Sequence, residues 1–121
     1  KVQRAHADLL AACGGDFGAL THATRLGSLS GDAHHALWRL AAHYLVTVSP
    51  LSQGDPVARF HLDNGARLER LDPQGDMSAK GLRQSFGLMV NYLYDLDKVE
   101  THHEKFVQGE VAQSRLLSSL L

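Results

Sequence analysis

Histidine is unusually frequent in this chain, with eight in 121 residues, so a metal site must be considered. Two metal ligands on one helix must lie three or four residues apart to reach the same ion. The pairs His34-His35 and His102-His103 are adjacent and therefore point apart, and His43 lies too far from His35 to share an ion with it. The sequence therefore predicts no metal site, and these histidines are expected on a solvated surface.

Nucleophilic and nucleotide chemistry lack the motifs that they require. The sequence contains neither the Gly-x-Ser-x-Gly turn of serine hydrolases nor a Gly-x-Gly-x-x-Gly or phosphate-loop pattern. Cys13 is the single cysteine, so no intrachain disulfide can form, and a reducing or indifferent compartment is expected. Its place on a predicted helix favours a buried structural thiol over a nucleophile.

His61 is the histidine best placed for acid–base chemistry. Asp55 can cap a short helix, Pro56 can begin it, and Asn64-Gly65 can end it through a left-handed turn. His61 then falls in the last turn, where the negative end of the helix dipole favours the charged imidazolium. One interpretation is a proton donor. The other is a histidine that only caps helix carbonyls.

Several further helices are predicted around this short one. Three other stretches have apolar residues at helical spacing: 2–13, 33–47 and 107–121. Asp32 is expected to cap the second, and Gly14-Gly15 should end the first. A short helix is also expected over 79–85, capped by Ser78 and weakened by Gly81. We expect mostly loop over 16–31, where glycines interrupt the period, and a polar linker over 97–105.

Two strands are predicted, which is too few for a stable sheet. Residues 66–71 alternate apolar and polar side chains, and 72–75 has the composition of a type I turn. In 88–96, Tyr92 and Tyr94 share one side at period two, which favours a strand, although a helix remains open. Both tyrosines are expected to be core or half-buried strand aromatics. Because a two-stranded sheet is marginal in water, we expect it to continue in residues outside this chain.

Composition and charge exclude several classes of protein. The chain has 44% hydrophobic residues and a formal net charge of −1, typical of one soluble domain or a piece of one. With a pI near 6.8 and no basic stripe, nucleic-acid binding is not supported. The longest apolar run, 9–13, is far shorter than the ~18 residues of a membrane helix. Since residue 1 is not methionine and no signal peptide follows, we expect the interior of a longer chain.

A resemblance to a known family emerges from three stretches in the second half of the sequence. Residues 55–70 read DPVARFHLDNGARLER, 80–85 read KGLRQS and 87–94 read GLMVNYLY. Together they resemble the C-terminal end of the malonyl-CoA decarboxylase family, densely over 55–96 and more thinly on either side. Two features depart from the family: Asp72-Pro73 stands where it usually has Asn-Trp, and 47–54 is less basic.

The resemblance implies an α+β fold, the C-terminal portion of an acetyltransferase-like (GNAT) fold whose helices pack on a sheet completed by residues outside this chain. Residues 1–54 would be a mainly helical segment leading into the catalytic domain. Residues 55–121 would be the C-terminal part of that domain, with a helix, two strands and a terminal helix.

The resemblance also implies an activity, the decarboxylation of malonyl-CoA to acetyl-CoA and carbon dioxide without a metal or organic cofactor. His61 matches the family's catalytic histidine, with proton donor as its natural role. Tyr94 matches a tyrosine that lines the site, and Asn64 is a second candidate for substrate binding. The family's catalytic serine lies well upstream, so Ser49 is not assigned to it.

The implied partners are the substrate, the remainder of the enzyme, in upstream residues or a second chain, and further copies in a homo-oligomer. The implied location is the cytoplasm. Two alternatives remain open. One is a related acyl-CoA enzyme of GNAT fold that transfers its acyl group. The other is a non-catalytic helical interaction fragment, which the missing serine and the amphipathic helices would favour.

Overall fold

The computed structural model describes residues 2–51 and 54–121, and in these ranges the chain has an α+β fold. These described ranges contain seven α-helices: α1 (Val2–Ala12), α2 (Ala23–Gly27), α3 (Gly31–His43), α4 (Pro56–Asp63), α5 (Ala79–Ser85), α6 (Val99–Val107) and α7 (Arg115–Ser118). Two strands, β1 (Arg67–Asp72) and β2 (Met89–Leu93), form a two-stranded sheet. None of the described helices combines the length and apolarity needed to cross a membrane.

The chain divides into two compact units. One contains the residues up to Leu40 together with Leu71–Met89, and the other contains Ala41–Arg70 together with Val90–Leu121. Fully or nearly buried side chains of the first unit include Leu9, Leu20, Leu26, Leu37 and Leu82. Those of the second include Leu45, Leu62, Leu68, Phe106 and Leu117. The domain division after residue 54 stays a prediction.

The first predicted helix is confirmed, but the loop predicted after it is wrong. Gly14 and Gly15 end α1 with φ of 75° and 88°. A 3₁₀ turn, Phe17–Thr21, and α2 then occupy much of 16–31. The Asp16 side chain caps the 3₁₀ turn by accepting from the Gly18 amide at 2.9 Å. Burial of leucines from both elements outweighs the glycines that predicted a loop.

The helix predicted over 33–47 is present with different ends. Ser30, and not Asp32, caps α3, because its hydroxyl accepts from the Ala33 amide at 3.2 Å. After His43 the backbone widens into a π-helical turn, Tyr44–Val48. Turns of this type are often found at functional sites, where they change the direction of side chains.

The two strands are confirmed, with a different turn and a shorter β2 than predicted. Gln74 has a φ of 56°, which a type I turn does not allow. Tyr94 lies one residue beyond the end of β2, while Tyr92 lies within it. On its other side β1 gains a parallel bridge between Leu68 and Gln113. Continuation of the sheet outside the chain stays a prediction.

The C-terminal region differs most from the sequence-based expectation. The predicted linker over 97–105 is largely α6, and the predicted helix over 107–121 is reduced to α7. Gly109, with a φ of 86°, ends the first of these two helices. Residues 111–114 run extended beside β1, with the Leu68 amide donating to the Ala112 carbonyl at 2.9 Å. Burial of Val111 and Ala112 against the strand prevents one continuous helix.

Candidate functional site

The helix that carries His61 forms as its sequence predicts. The Asp55 carboxylate accepts from the Ala58 amide at 2.9 Å, and Pro56 occupies the first helical turn. Ala58 and Leu62 are buried and anchor α4 to the core of its unit. His61, in the last turn, is half-buried.

The turn after α4 is held by α6. Gly65 has a φ of 92°, whereas Asn64 has a φ of −82°, so only the glycine makes the predicted left-handed exit. A β-carbon on Gly65 would lie 2.4 Å from the Val99 carbonyl oxygen, so no side chain fits there. His102 is buried, with its Nδ1 3.2 Å from the Gly65 carbonyl. These contacts fix the C-terminal end of α4, the helix that contains His61.

Two tyrosines of the β2 region surround His61. Its Nδ1 lies 2.7 Å from the Tyr94 hydroxyl, within hydrogen-bond distance. The Tyr92 ring is stacked on the imidazole, with centroids 4.4 Å apart and planes 24° apart. Phe60 meets the same imidazole edge-on at 5.3 Å. The structure therefore brings together His61 and Tyr94, the two residues that the family resemblance selects.

The surroundings of Tyr92 raise the pKa of its hydroxyl. Burial raises the pKa of the Tyr92 hydroxyl well above its usual range, with smaller contributions from the negative charge of Asp55 and from Tyr94. An ordinary tyrosine hydroxyl is already protonated at neutral pH, and the raised pKa extends this neutral form to more alkaline pH. Tyr92 therefore presents an uncharged aromatic face to His61. Tyr92 is half-buried and Tyr94 is 41% exposed, so the expectation of a core or half-buried position describes Tyr92 better than Tyr94.

Asn64 has a local structural contact. Its side-chain amide donates to the Phe60 carbonyl at 2.7 Å, and the same carbonyl accepts from the Asn64 backbone amide at 3.2 Å. The cavity beside Asn64 is lined by Asp63, Val99, Glu100, His103 and Glu104, and His103 Nδ1 lies 3.3 Å from the Asp63 carboxylate. Three carboxylates against one histidine do not favour an anionic ester there. A role for Asn64 in substrate binding stays a prediction.

Ser49 is enclosed. It has no exposed surface, and among the described residues its hydroxyl has no hydrogen-bond partner. Arg59 holds this segment by donating to the carbonyls of Ser49 and Leu51 at 2.8 and 2.5 Å. The Arg59 guanidinium also lies over the Phe106 ring at 5.6 Å. Substrate cannot reach the Ser49 hydroxyl in this arrangement.

Cys13 is half-buried, less enclosed than the sequence predicts. Burial, and then the nearby negative charge of Asp16, raise the pKa of its thiol. A raised pKa leaves less of the thiolate that acts as a nucleophile. Within the described ranges, no group of three or more histidine, cysteine, aspartate or glutamate side chains is arranged to hold a metal ion.

The sequence did not predict the stack of Tyr92 on His61, nor the hydrogen bonds from Arg59 to the Ser49 and Leu51 carbonyls. Period-two spacing signals that Tyr92 and Tyr94 share one side of the strand, but it does not identify what that side faces. Arg59 carries no recognisable signal, because its partners are backbone carbonyls that any residue could supply.

Comparison with known proteins gives one consistent result. Residues 21–121 match the model of the malonyl-CoA decarboxylase C-terminal domain. The mitochondrial malonyl-CoA decarboxylase of Anser anser anser is 40% identical over 75 residues, 61% of this chain and 15% of that protein. The Rattus norvegicus protein of the same name is 48% identical over 63 residues, 51% of this chain and 13% of that protein.

Solved structures agree with the sequence matches. The crystal structure of malonyl-CoA decarboxylase from Rhodopseudomonas palustris has a TM-score of 0.73 and 41% identity, covering 86% of this chain and 25% of that one. The structure from Cupriavidus metallidurans has a TM-score of 0.75 and 36% identity, covering 98% and 31%. The chain thus spans less than a third of the length of each of these relatives.

Proposed function

The chain belongs to the malonyl-CoA decarboxylase C-terminal domain family, and we propose that it supplies the histidine half of an active site that converts malonyl-CoA to acetyl-CoA and carbon dioxide. The observation that carries the proposal is the 2.7 Å contact between His61 Nδ1 and the Tyr94 hydroxyl. It joins the two side chains to which the family resemblance assigns a place in the site.

The reaction breaks one carbon–carbon bond and needs one proton. The electron pair of the bond to the carboxylate moves onto the thioester as an enolate while carbon dioxide leaves. The enolate then takes a proton at its α-carbon to give acetyl-CoA. Such a site must stabilise the negative charge on the thioester oxygen and place an acid beside the α-carbon.

His61 is the proposed acid. As the imidazolium, His61 donates from Nδ1 to the Tyr94 hydroxyl oxygen, and Nε2 delivers its proton to the α-carbon, which leaves a neutral imidazole. The imidazole is half-buried, so solvent can restore the proton after each turnover. Tyr94 acts here through the histidine by fixing its tautomer.

The rest of the site is proposed to come from outside this chain. The family resemblance puts the catalytic serine in the remainder of the enzyme, and the enclosed Ser49 supports leaving that role there. We infer that the remaining part also completes the GNAT-like sheet and binds the CoA portion of the ester. The reaction as proposed calls for no metal or organic cofactor. Homo-oligomer formation and a cytoplasmic location stay predictions.

The test is a His61→Asn variant of the native protein. Removing the acid should lower kcat for acetyl-CoA formation about 100-fold or more, while affinity for the CoA ester changes only a few-fold. His22→Asn is the matched control, because His22 lies outside the site and its side chain makes no capping hydrogen bond. Normal turnover in His61→Asn would reject the role of His61 as the acid, and a wild-type protein without turnover would favour the non-catalytic interaction fragment.

A further inference from the structure

We infer that Tyr92 is a positioning residue for His61: its stacked ring sets the plane of the imidazole, so that Nδ1 meets the Tyr94 hydroxyl. The catalytic consequence rests on the proposed function. The positioning can be measured without substrate.

Two contacts of different kinds define the orientation of the imidazole. The stack on Tyr92, at 4.4 Å and 24°, restricts the tilt of the ring plane. The 2.7 Å contact between Nδ1 and the Tyr94 hydroxyl restricts rotation within that plane. Each alone leaves one rotation open, and together they fix the direction of Nε2.

Strand geometry places both tyrosines on the side of the β2 segment that faces the imidazole. Tyr92 lies within β2, and Tyr94 follows two residues later, so an extended backbone directs both side chains the same way. The Tyr94 ring meets the imidazole at 66°, which leaves the stacked position to Tyr92. A single register of the strand therefore supplies both contacts.

Other neighbours of His61 do not replace this contact. The Phe60 ring is 64% exposed and lies nearly perpendicular to the imidazole, at 81°. The electron-rich face of the Tyr92 ring lies against the imidazole and attracts an imidazolium. Its contribution is orientation, and it moves no proton in the reaction.

The first measurement is nuclear magnetic resonance of the histidine rings in the native protein, with His61 assigned by its loss in His61→Asn. Ring currents of a stacked tyrosine shift imidazole proton resonances upfield. We expect this shift in the wild type and in Tyr92→Phe, and its loss in Tyr92→Leu together with a changed Nδ1 resonance. Tyr44→Leu is the matched control, because Tyr44 lies outside the His61 cluster.

The second measurement is the steady-state kinetics of the Tyr92 variants, which shows whether the orientation of His61 affects kcat or KM. Small misplacements of reacting groups can cost up to about 100-fold in rate. We expect Tyr92→Leu to lower kcat about tenfold or more with KM within about twofold, and Tyr92→Phe to restore kcat. Because phenylalanine keeps the ring, it should rescue packing and orientation alike, and the ring-current shift of His61 is the readout that a purely structural role would not move.

The outcomes distinguish the two proposals. A wild-type protein without decarboxylase activity rejects the proposed function, while an intact His61 shift still supports positioning. Unchanged His61 resonances and unchanged kcat in Tyr92→Leu overturn the positioning role. If that variant does not fold, the wild type decides: a nuclear Overhauser effect between the Tyr92 and His61 rings supports the inference, and its absence rejects it.

Discussion

At the scale of single residues, the Tyr94 hydroxyl, just after β2, contacts the proposed acid, His61. Tyr94→Phe removes the group that lies 2.7 Å from His61 Nδ1 and leaves the ring in place. Since a hydrogen bond contributes about 1 kcal/mol, we expect kcat to fall about fivefold with little change in KM. Steady-state kinetics of the native protein check this.

Tyr44→Phe is the matched control for that prediction, because Tyr44 is 38% exposed, close to the 41% of Tyr94. It lies outside the proposed machinery and should keep wild-type rates. Equal turnover in both variants would show that the contact between Tyr94 and His61 does not serve the reaction.

The neutral Tyr92 hydroxyl predicts a loss of stability at alkaline pH. Its pKa is raised from 10.0 in the folded chain, chiefly by burial, so the folded state keeps a proton that the unfolded state releases. This contribution is complete below pH 10 and declines as the pH rises further. Urea unfolding at pH 9 and pH 11 measures this. Between the two pH values, the free energy of unfolding should fall more for the wild type than for Tyr92→Phe. Equal losses would contradict the assignment.

The residues of the site were predictable to different degrees. His61 followed from local helix signals and the family resemblance, and Tyr94 from the resemblance alone. The stack of Tyr92 on His61 was not predictable, since periodicity identifies the side of a strand but not its neighbour in space. For the same reason sequence could not show that Ser49 is enclosed.

At the scale of elements, the turn after α4 is the feature most sensitive to substitution. Gly65→Ala places a β-carbon 2.4 Å from the Val99 carbonyl at a φ of 92°, so a close contact adds to backbone strain. We expect a loss of about 3 kcal/mol or more in the free energy of unfolding. Chemical denaturation of the native protein measures it.

Gly109→Ala separates the two causes. Gly109 has a similar φ of 86°, but nothing lies within 4 Å of its β-carbon position. This variant should therefore lose only the strain of a left-handed residue, about 1–2 kcal/mol. If both variants lose the same amount, the contact between the α4 turn and α6 does not contribute to stability.

Elements with local signals were predicted well, and elements fixed by distant packing were not. Helix α4 has an aspartate cap, a proline start and a glycine exit within eleven residues, 55–65, so its sequence specifies it. The sequence of α6 resembles a polar linker, because most of its residues are polar. In the structure only His102 and Phe106 of this helix are buried. Two buried residues in nine are too few for a periodic pattern.

At the scale of the whole molecule, charge is nearly balanced, and this predicts how the chain responds to pH. The formal net charge is −1 with histidine neutral, so a small gain of protons brings it to zero. Proteins associate most readily where net charge approaches zero, since mutual repulsion is then weakest. We therefore expect minimum solubility of the chain near its pI of about 6.8.

Isoelectric focusing and light scattering between pH 5 and pH 9 measure this dependence. Scattering should peak close to neutrality and fall on both sides, more steeply on the acidic side, where histidine protonation changes the charge fastest. Raising the ionic strength to about 1 M shortens the Debye length to about 3 Å and should flatten the curve, since repulsion between molecules is then screened. A peak that keeps its shape in high salt would indicate that exposed apolar side chains, such as Phe60 and Val107, govern association instead of net charge.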